Sequence, residues 1–190
     1  MEHNQHGIRE ILEKNKLIPV VTIDNSFELE NTIEILFEKK INCIEITLRT
    51  KNSWSAVEKI KSKYGNHIKV GIGTVINNNQ VMKAKDIGVD FMVSPGITEK
   101  IINSMIESEI PFLPGISNVS EIMLANQYKC ETLKFFPAII SGGINTLNHY
   151  NKLFPNIMFC PTGGVTAINF RGFLELKNVI SVAGSWLIKK

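Results

Sequence analysis

Cysteine is scarce. Only Cys43, Cys130 and Cys160 occur among 190 residues, and none forms a C-x-x-C pair, so a disulfide framework is excluded and no cysteine has metal-ligand spacing. A reducing cytoplasm is the expected location. His3, His6, His67 and His149 are dispersed; His3 and His6 have helical spacing but fall at a terminus that tends to fray, so no metal is expected. Long apolar runs are missing too. Nothing approaches the roughly 18 residues of a membrane span, and residues 1–10 lack the apolar stretch and cleavage site of a signal peptide, so no membrane partner is expected. Nor does charge of one sign prevail. Lys plus Arg is 21 against 18 for Asp plus Glu, a net +3, and the pairs Lys39/Lys40, Lys61/Lys63 and Lys189/Lys190 stand apart, so no nucleic acid is expected as partner. With no linker or low-complexity segment, residues 1–190 read as one domain.

Short apolar or β-branched segments recur about every 20 to 26 residues: 18–22, 43–47, 69–73, 91–94, 111–114, 132–136, 158–162 and 180–184. Most are nearly continuous, the pattern of parallel strands covered by helices. Between them lie helical patterns. Asn25 with Glu28, and Asn118 with Glu121, resemble capping boxes, and Thr98 can cap the segment holding Ile101, Ile102, Met105 and Ile106. Leu29, Ile33, Leu36 and Phe37 share one helical face, Met82, Met105 and Met123 read as core fillers, and a leading helix surrounds Ile8, Ile11 and Leu12. The fold class is α/β. Eight strand–helix units favour a (β/α)8 TIM barrel with an extra N-terminal helix over a doubly wound sheet. The length sits awkwardly with that, because such barrels take about 250 residues and seldom fewer than about 200.

The most unusual residue is Lys134, inside the apolar run Thr132-Leu133-Lys134-Phe135-Phe136-Pro137. A lysine there loses hydration, which favours the neutral amine, and a neutral amine is a nucleophile for a substrate carbonyl. The alternative is a lysine that reaches solvent or pairs with a carboxylate. Cys43-Ile44-Glu45-Ile46-Thr47-Leu48-Arg49 alternates with period two, placing Glu45, Thr47 and Arg49 on one face. Glu45 among isoleucines is a candidate general acid/base, and Arg49 past the strand end offers a fork for a carboxylate. Against this stands a structural ion pair between Glu45 and a basic neighbour, Lys134 included. Gly71-Ile72-Gly73-Thr74 lacks the third glycine of a dinucleotide site, and its glycines permit a close approach, with the Thr74 hydroxyl as a donor. Gly163-Gly164 and Gly184-Ser185 follow the seventh and eighth strands, where barrels commonly bind phosphate, although each pair alone also reads as turn glycines.

From about Pro19 to Trp186 the chain resembles the 2-keto-3-deoxy-6-phosphogluconate (KDPG) aldolase and 4-hydroxy-2-oxoglutarate (KHG) aldolase family. The resemblance lies in Ile44-Glu45-Ile46-Thr47-Leu48-Arg49-Thr50, Gly71-Ile72-Gly73-Thr74-Val75, Ser94-Pro95-Gly96, Pro114-Gly115-Ile116-Ser117, Lys134-Phe135-Phe136-Pro137-Ala138, Phe159-Cys160-Pro161-Thr162-Gly163-Gly164 and Gly184-Ser185-Trp186. It implies a class I aldolase without metal or cofactor, acting in the Entner–Doudoroff pathway. Lys134 would form a Schiff base with a 2-keto acid, and Glu45 would shuttle protons. Arg49 and Thr74 would hold the substrate carboxylate, Pro95 and Phe136 would shape the pocket, and Thr162 would contact substrate. Gly163, Gly164, Gly184 and Ser185 would bind phosphate. A homotrimer is implied as well.

Family members continue past the Gly-Ser-Trp segment into a final helix, whereas this sequence ends at Lys190. The eighth helix is therefore expected to be truncated or missing, with the leading helix or a neighbouring subunit covering the exposed strand face. Two other functions remain open on this reading: an aldolase acting mainly on 4-hydroxy-2-oxoglutarate, and a non-catalytic barrel that binds a phosphorylated metabolite.

Overall fold

The protein is described by a computed structural model covering residues 2–188, with side chains from Gln5 onward; the His3 side chain and the Lys189/Lys190 pair lie outside the described residues. In chain order the elements are α1 (Glu2–Lys14), β1 (Leu17–Val21), α2 (Ser26–Glu38), β2 (Cys43–Thr47), α3 (Ser53–Tyr64), β3 (Lys69–Gly73), α4 (Asn78–Ile87), β4 (Phe91–Val93) and α5 (Glu99–Ser108). There follow β5 (Phe112–Leu113), β6 (Gly115–Ile116), α6 (Val119–Gln127), β7 (Thr132–Phe135), α7 (Gly143–Leu153), β8 (Met158–Pro161), α8 (Phe170–Leu174) and β9 (Val182–Gly184), then a 3-10 turn, Ser185–Ile188.

All strand pairs are parallel. They form a half-barrel sheet ordered β5-β4-β3-β2-β1-β9 and a smaller one ordered β6-β7-β8. Proline causes the division. The expected strand over 111–114 is interrupted at Pro114, which has no N–H to give a ladder, so β5 pairs with β4 and β6 with β7. Pro114 still accepts a hydrogen bond from the Lys134 N–H at 2.9 Å. At the other edge, isolated parallel bridges Phe159↔Val179 and Thr162↔Ala183 link the β8 and β9 regions.

Period-two alternation sorts the strand side chains into two cores. Ile44, Ile46, Val70, Ile72, Leu133 and Phe135 face outward to the helices. Ile18, Cys43, Phe91, Leu113, Cys160 and Ala183 face inward, where Ile8 and Leu12 of α1 join them. Gln5, also on α1, donates from Nε2 to the Phe112 carbonyl and accepts from the Thr132 N–H, both at 3.0 Å. α1 thus closes the amino ends of the strands. Of the two covers expected for the face beside the last strand, the leading helix and a neighbouring subunit, the first is placed elsewhere. Beside that strand, the 3-10 turn packs against β1 and α2, buries Leu187, and has its Leu187 carbonyl bound by Lys39 Nζ at 2.8 Å.

Asn25, Thr98 and Asn118 accept the expected N3 amide hydrogen bonds. Glu28, however, reaches back to the Asp24 N–H, one residue beyond the cap, and the complete capping box belongs to Asn77 and Gln80 of α4. Phe37 is also corrected. α2 buries Leu29, Thr32, Ile33, Ile35 and Leu36, leaving Phe37 half-exposed with its edge against Tyr64. Met105 is a core filler, but Met82 and Met123 are half-exposed because the buried faces of α4 and α6 run through Val81/Ala84 and Ile122/Ala125.

Candidate active site

Lys134 on β7 and Glu45 on β2 belong to different sheets and meet across the interior. Their strand neighbours in register are Gly115 and Cys160 for Lys134, and Val20 and Gly71 for Glu45. Lys134 Nζ lies 3.3 Å from Glu45 Oε1, and the two side chains are 7% and 3% exposed. The ion pair anticipated as an alternative is therefore present. Such a pair offsets the desolvation of both groups and leaves each within proton-transfer reach of the other. The Nζ also lies 5.2 Å from the centroid of the Phe136 ring. Cys160 is no rival nucleophile, since burial pushes its thiol up to about 12 against the opposing pull of the Lys134 charge.

The two glycines of β3 admit side chains rather than backbone. A Cβ on Gly71 would overlap the Phe91 ring, and one on Gly73 would overlap Glu45 Oε1 and lie 2.7 Å from Glu45 Cδ. Gly73 thus leaves the space in which the carboxylate sits. Thr74, next along, has φ +64, a left-handed conformation rare for a β-branched residue and typical of functional loops, where it costs about 1–3 kcal/mol. From there its Oγ1 accepts a hydrogen bond from Arg49 Nε at 3.2 Å.

A cavity of about 250 Å³ opens at the carboxyl ends of the strands, lined by Arg49, Lys134, Phe136, Thr162, Gly163, Gly164, Gly184 and Ser185, all singled out above. Glu45 lies beneath it, reached through Lys134, and Thr74 approaches it through Arg49. Pro95 does not line it; its backbone instead sits where a Cβ on Gly115 would fall. Val20, Thr22 and Val165 also line the cavity and escaped the sequence reading; Thr47, which was set on the face of Glu45 and Arg49 without a role of its own, lines it too. Thr22 and Thr47 share a hydrogen bond of 2.8 Å between their hydroxyls. Alternation held the signal, because Val20 and Thr22 bracket the carboxyl end of β1 as Glu45 and Thr47 do on β2. Among the described residues no group of three His, Cys, Asp or Glu side chains is arranged to hold a metal ion, and no helix is long and apolar enough to cross a membrane.

The sequence model of the KDPG and KHG aldolase family matches residues 8–190. The chain belongs to that family. The aldolase is 35% identical over 190 residues to the 2-dehydro-3-deoxy-phosphogluconate aldolase of Pseudomonas aeruginosa, an alignment that spans all of this chain and 86% of the relative. The KDPG aldolase of Legionella pneumophila is similar in structure, with a TM-score of 0.90, 35% identity, and coverage of 94% of this chain and 86% of the other. That crystal structure holds pyruvate captured at low pH as a covalent carbinolamine intermediate. The KDPG aldolase of Zymomonas mobilis, solved with 3-phosphoglycerate, has a TM-score of 0.91 and 31% identity, with coverage of 96% of this chain and 86% of its own. As an aldolase, the present chain is a carbon–carbon lyase.

Proposed function

We propose that this aldolase cleaves 2-keto-3-deoxy-6-phosphogluconate to pyruvate and glyceraldehyde 3-phosphate through an imine at Lys134, and 4-hydroxy-2-oxoglutarate to pyruvate and glyoxylate by the same route. The observation that carries this reading is the amine of Lys134 at the base of the cavity, 3.3 Å from a buried carboxylate. The neutral amine adds to the C2 carbonyl, giving a carbinolamine, and loss of water gives a protonated imine. A base takes the C4 hydroxyl proton, the C3–C4 electron pair moves to C3 to give an enamine, and the aldehyde leaves. The enamine is then protonated at C3, and water releases pyruvate and the free amine. Glu45 is the proton carrier in these steps, a role usually worth about 10²- to 10⁴-fold. The fork of Arg49, braced by Thr74, suits the substrate carboxylate. Thr162 and Phe136 flank the chain of the substrate. Gly163, Gly164, Gly184 and Ser185 take the phosphate, supported by their place on the cavity wall. Pro95 acts behind that wall rather than on it.

The architecture in this reading is one domain over residues 1–190, a closed (β/α)8 barrel in which a 3-10 turn follows the last strand. Its support is the pair of bridges that link the β8 and β9 regions and the continuity of β5 with β6 through Pro114. A homotrimer in the cytoplasm completes the proposal on the strength of the family resemblance. The decisive experiment is borohydride reduction with pyruvate, followed by mass spectrometry of the Lys134 peptide. One pyruvate-derived adduct is expected there, with no cleavage by Lys134→Ala. Folded, active enzyme without an adduct at Lys134 refutes the imine route. Turnover of the two substrates, measured side by side, ranks the phosphorylated against the unphosphorylated activity.

A further inference from the structure

The loop after β8 is fixed by an unusual set of hydrogen bonds. Gly163 and Gly164 have φ of +93 and +79, values that favour glycine. Three successive carbonyls in this loop are claimed: Thr162 by the Ala138 N–H at 2.8 Å, Gly163 by the Ile139 N–H at 3.1 Å, and Gly164 by Asn169 Nδ2 at 3.1 Å. In a planar trans peptide the N–H points opposite to the C=O. Holding each carbonyl therefore also aims the amide that follows it, on Gly163, Gly164 and Val165. Among the described residues these three N–H groups have no acceptor, and all three residues line the cavity.

The first two carbonyls are held by backbone of the β7–α7 connection, which sequence changes scarcely alter. The third depends on one side chain. Asn169 also accepts from the Thr166 N–H through Oδ1 at 2.8 Å, so its amide clasps the loop at both ends of the Gly164-Val165-Thr166 turn. It stands at the N-cap of α8 yet makes no side-chain cap to that helix. An asparagine in that position ordinarily bonds forward into its helix; here both of its hydrogen bonds run backward to the loop.

We propose that Asn169 is the positioning residue that gives this aldolase its preference for phosphorylated over unphosphorylated 2-keto acids, by locking the Val165 amide toward the anion. The inference rests on the phosphate reading of the Gly163-Gly164 loop above. Val165 contributes a third backbone donor, and the amine and carboxylate at the reacting carbons are untouched by the clasp. Removing Asn169 frees the turn without changing the chemistry at C2.

The test is steady-state cleavage of 2-keto-3-deoxy-6-phosphogluconate and 4-hydroxy-2-oxoglutarate by the wild type, Asn169→Ala and Asn169→Ser. Serine can cap α8 but cannot span the Gly164 carbonyl and the Thr166 amide. For both variants KM for the phosphorylated substrate should rise about tenfold with kcat kept, as for one lost hydrogen bond to a charged group. KM and kcat for the unphosphorylated substrate should stay within about twofold, and inhibition by inorganic phosphate should weaken by a similar factor. Equal loss on both substrates, or an unchanged KM for the phosphorylated one in either variant, overturns the role of Asn169. If the wild type itself shows no preference for the phosphorylated substrate, the phosphate reading fails, and this proposal with it.

Discussion

Gly73→Ala tests the site without replacing a reacting group. The added Cβ would overlap Glu45 Oε1 and stand 2.7 Å from Cδ and 2.9 Å from Cγ. Carbon atoms pack at about 3.5 Å or more, so the carboxylate must retreat by at least about 0.8 Å. The contact to Lys134 Nζ starts at 3.3 Å, and a shift of that size away from Nζ would carry it beyond hydrogen-bond range, which ends near 3.5 Å. The obstacle is the end of a flexible side chain, so the fold should survive at a cost of about 1–3 kcal/mol. Catalysis should suffer more. A misplacement of about 1 Å can cost about 10²-fold, within the range for general acid–base groups. The expected result is a fall in kcat of about 10²-fold, with an unfolding midpoint close to wild type. Glu45→Asp, shorter by one methylene, should cost less in the Gly73→Ala background than in the wild type, because the shorter carboxylate evades the new methyl. The reasoning is refuted if folded Gly73→Ala keeps kcat within about threefold, or if the two losses simply multiply.

Two further expectations concern the amino ends of the strands, away from the chemistry. Burial alone would raise the Asp90 carboxyl, but hydrogen bonds from Lys61, the Val70 N–H and Lys69, at 2.8, 2.9 and 3.0 Å, hold it below its ordinary 3.8. A carboxyl lowered by folding stabilises the protein above 3.8, and that contribution disappears as pH falls through the lower folded value. Asp90→Asn should thus cost about 1–2 kcal/mol in urea unfolding at neutral pH and little in strong acid; an equal cost at both pH values contradicts the linkage. Gln5→Leu keeps the volume but strands the Phe112 carbonyl and the Thr132 amide, for an expected loss of about 1–3 kcal/mol with kcat unchanged. An unaltered unfolding midpoint would show that these bonds contribute nothing.

The strands were legible because parallel strands under helices carry near-continuous apolar runs, and Lys134 stood out as a cation in the middle of such a run. Period-two alternation likewise set Glu45, Thr47 and Arg49 on one face. The meeting of Glu45 with Lys134 was harder to read. It joins residues 89 apart in sequence, on strands that are not neighbours, and depends on how far the sheets curve. Gly73 in a strand announces a close approach without saying of what, and only the register β2·β3, with Thr47 opposite Gly73, brings the Glu45 side chain over it. Pro114 was a visible warning against an unbroken fifth strand. Met82 and Met123 were misassigned because helical spacing alone does not separate the face that meets the sheet from its flank.

In the proposed imine route, the pairing of Lys134 with Glu45 shapes the energetics of turnover. With the proton on nitrogen the pair is a cation beside an anion; with the proton on oxygen it is an amine beside an acid. Its total charge is zero in both. The nucleophile can therefore be unmasked by an internal relocation of one proton, without drawing any ion from water into the interior, where an unaccompanied charge would cost several kcal/mol. When a protonated imine replaces the ammonium, the same carboxylate again faces a cation. The interior thus meets the start and the covalent midpoint of the reaction with one electrostatic arrangement.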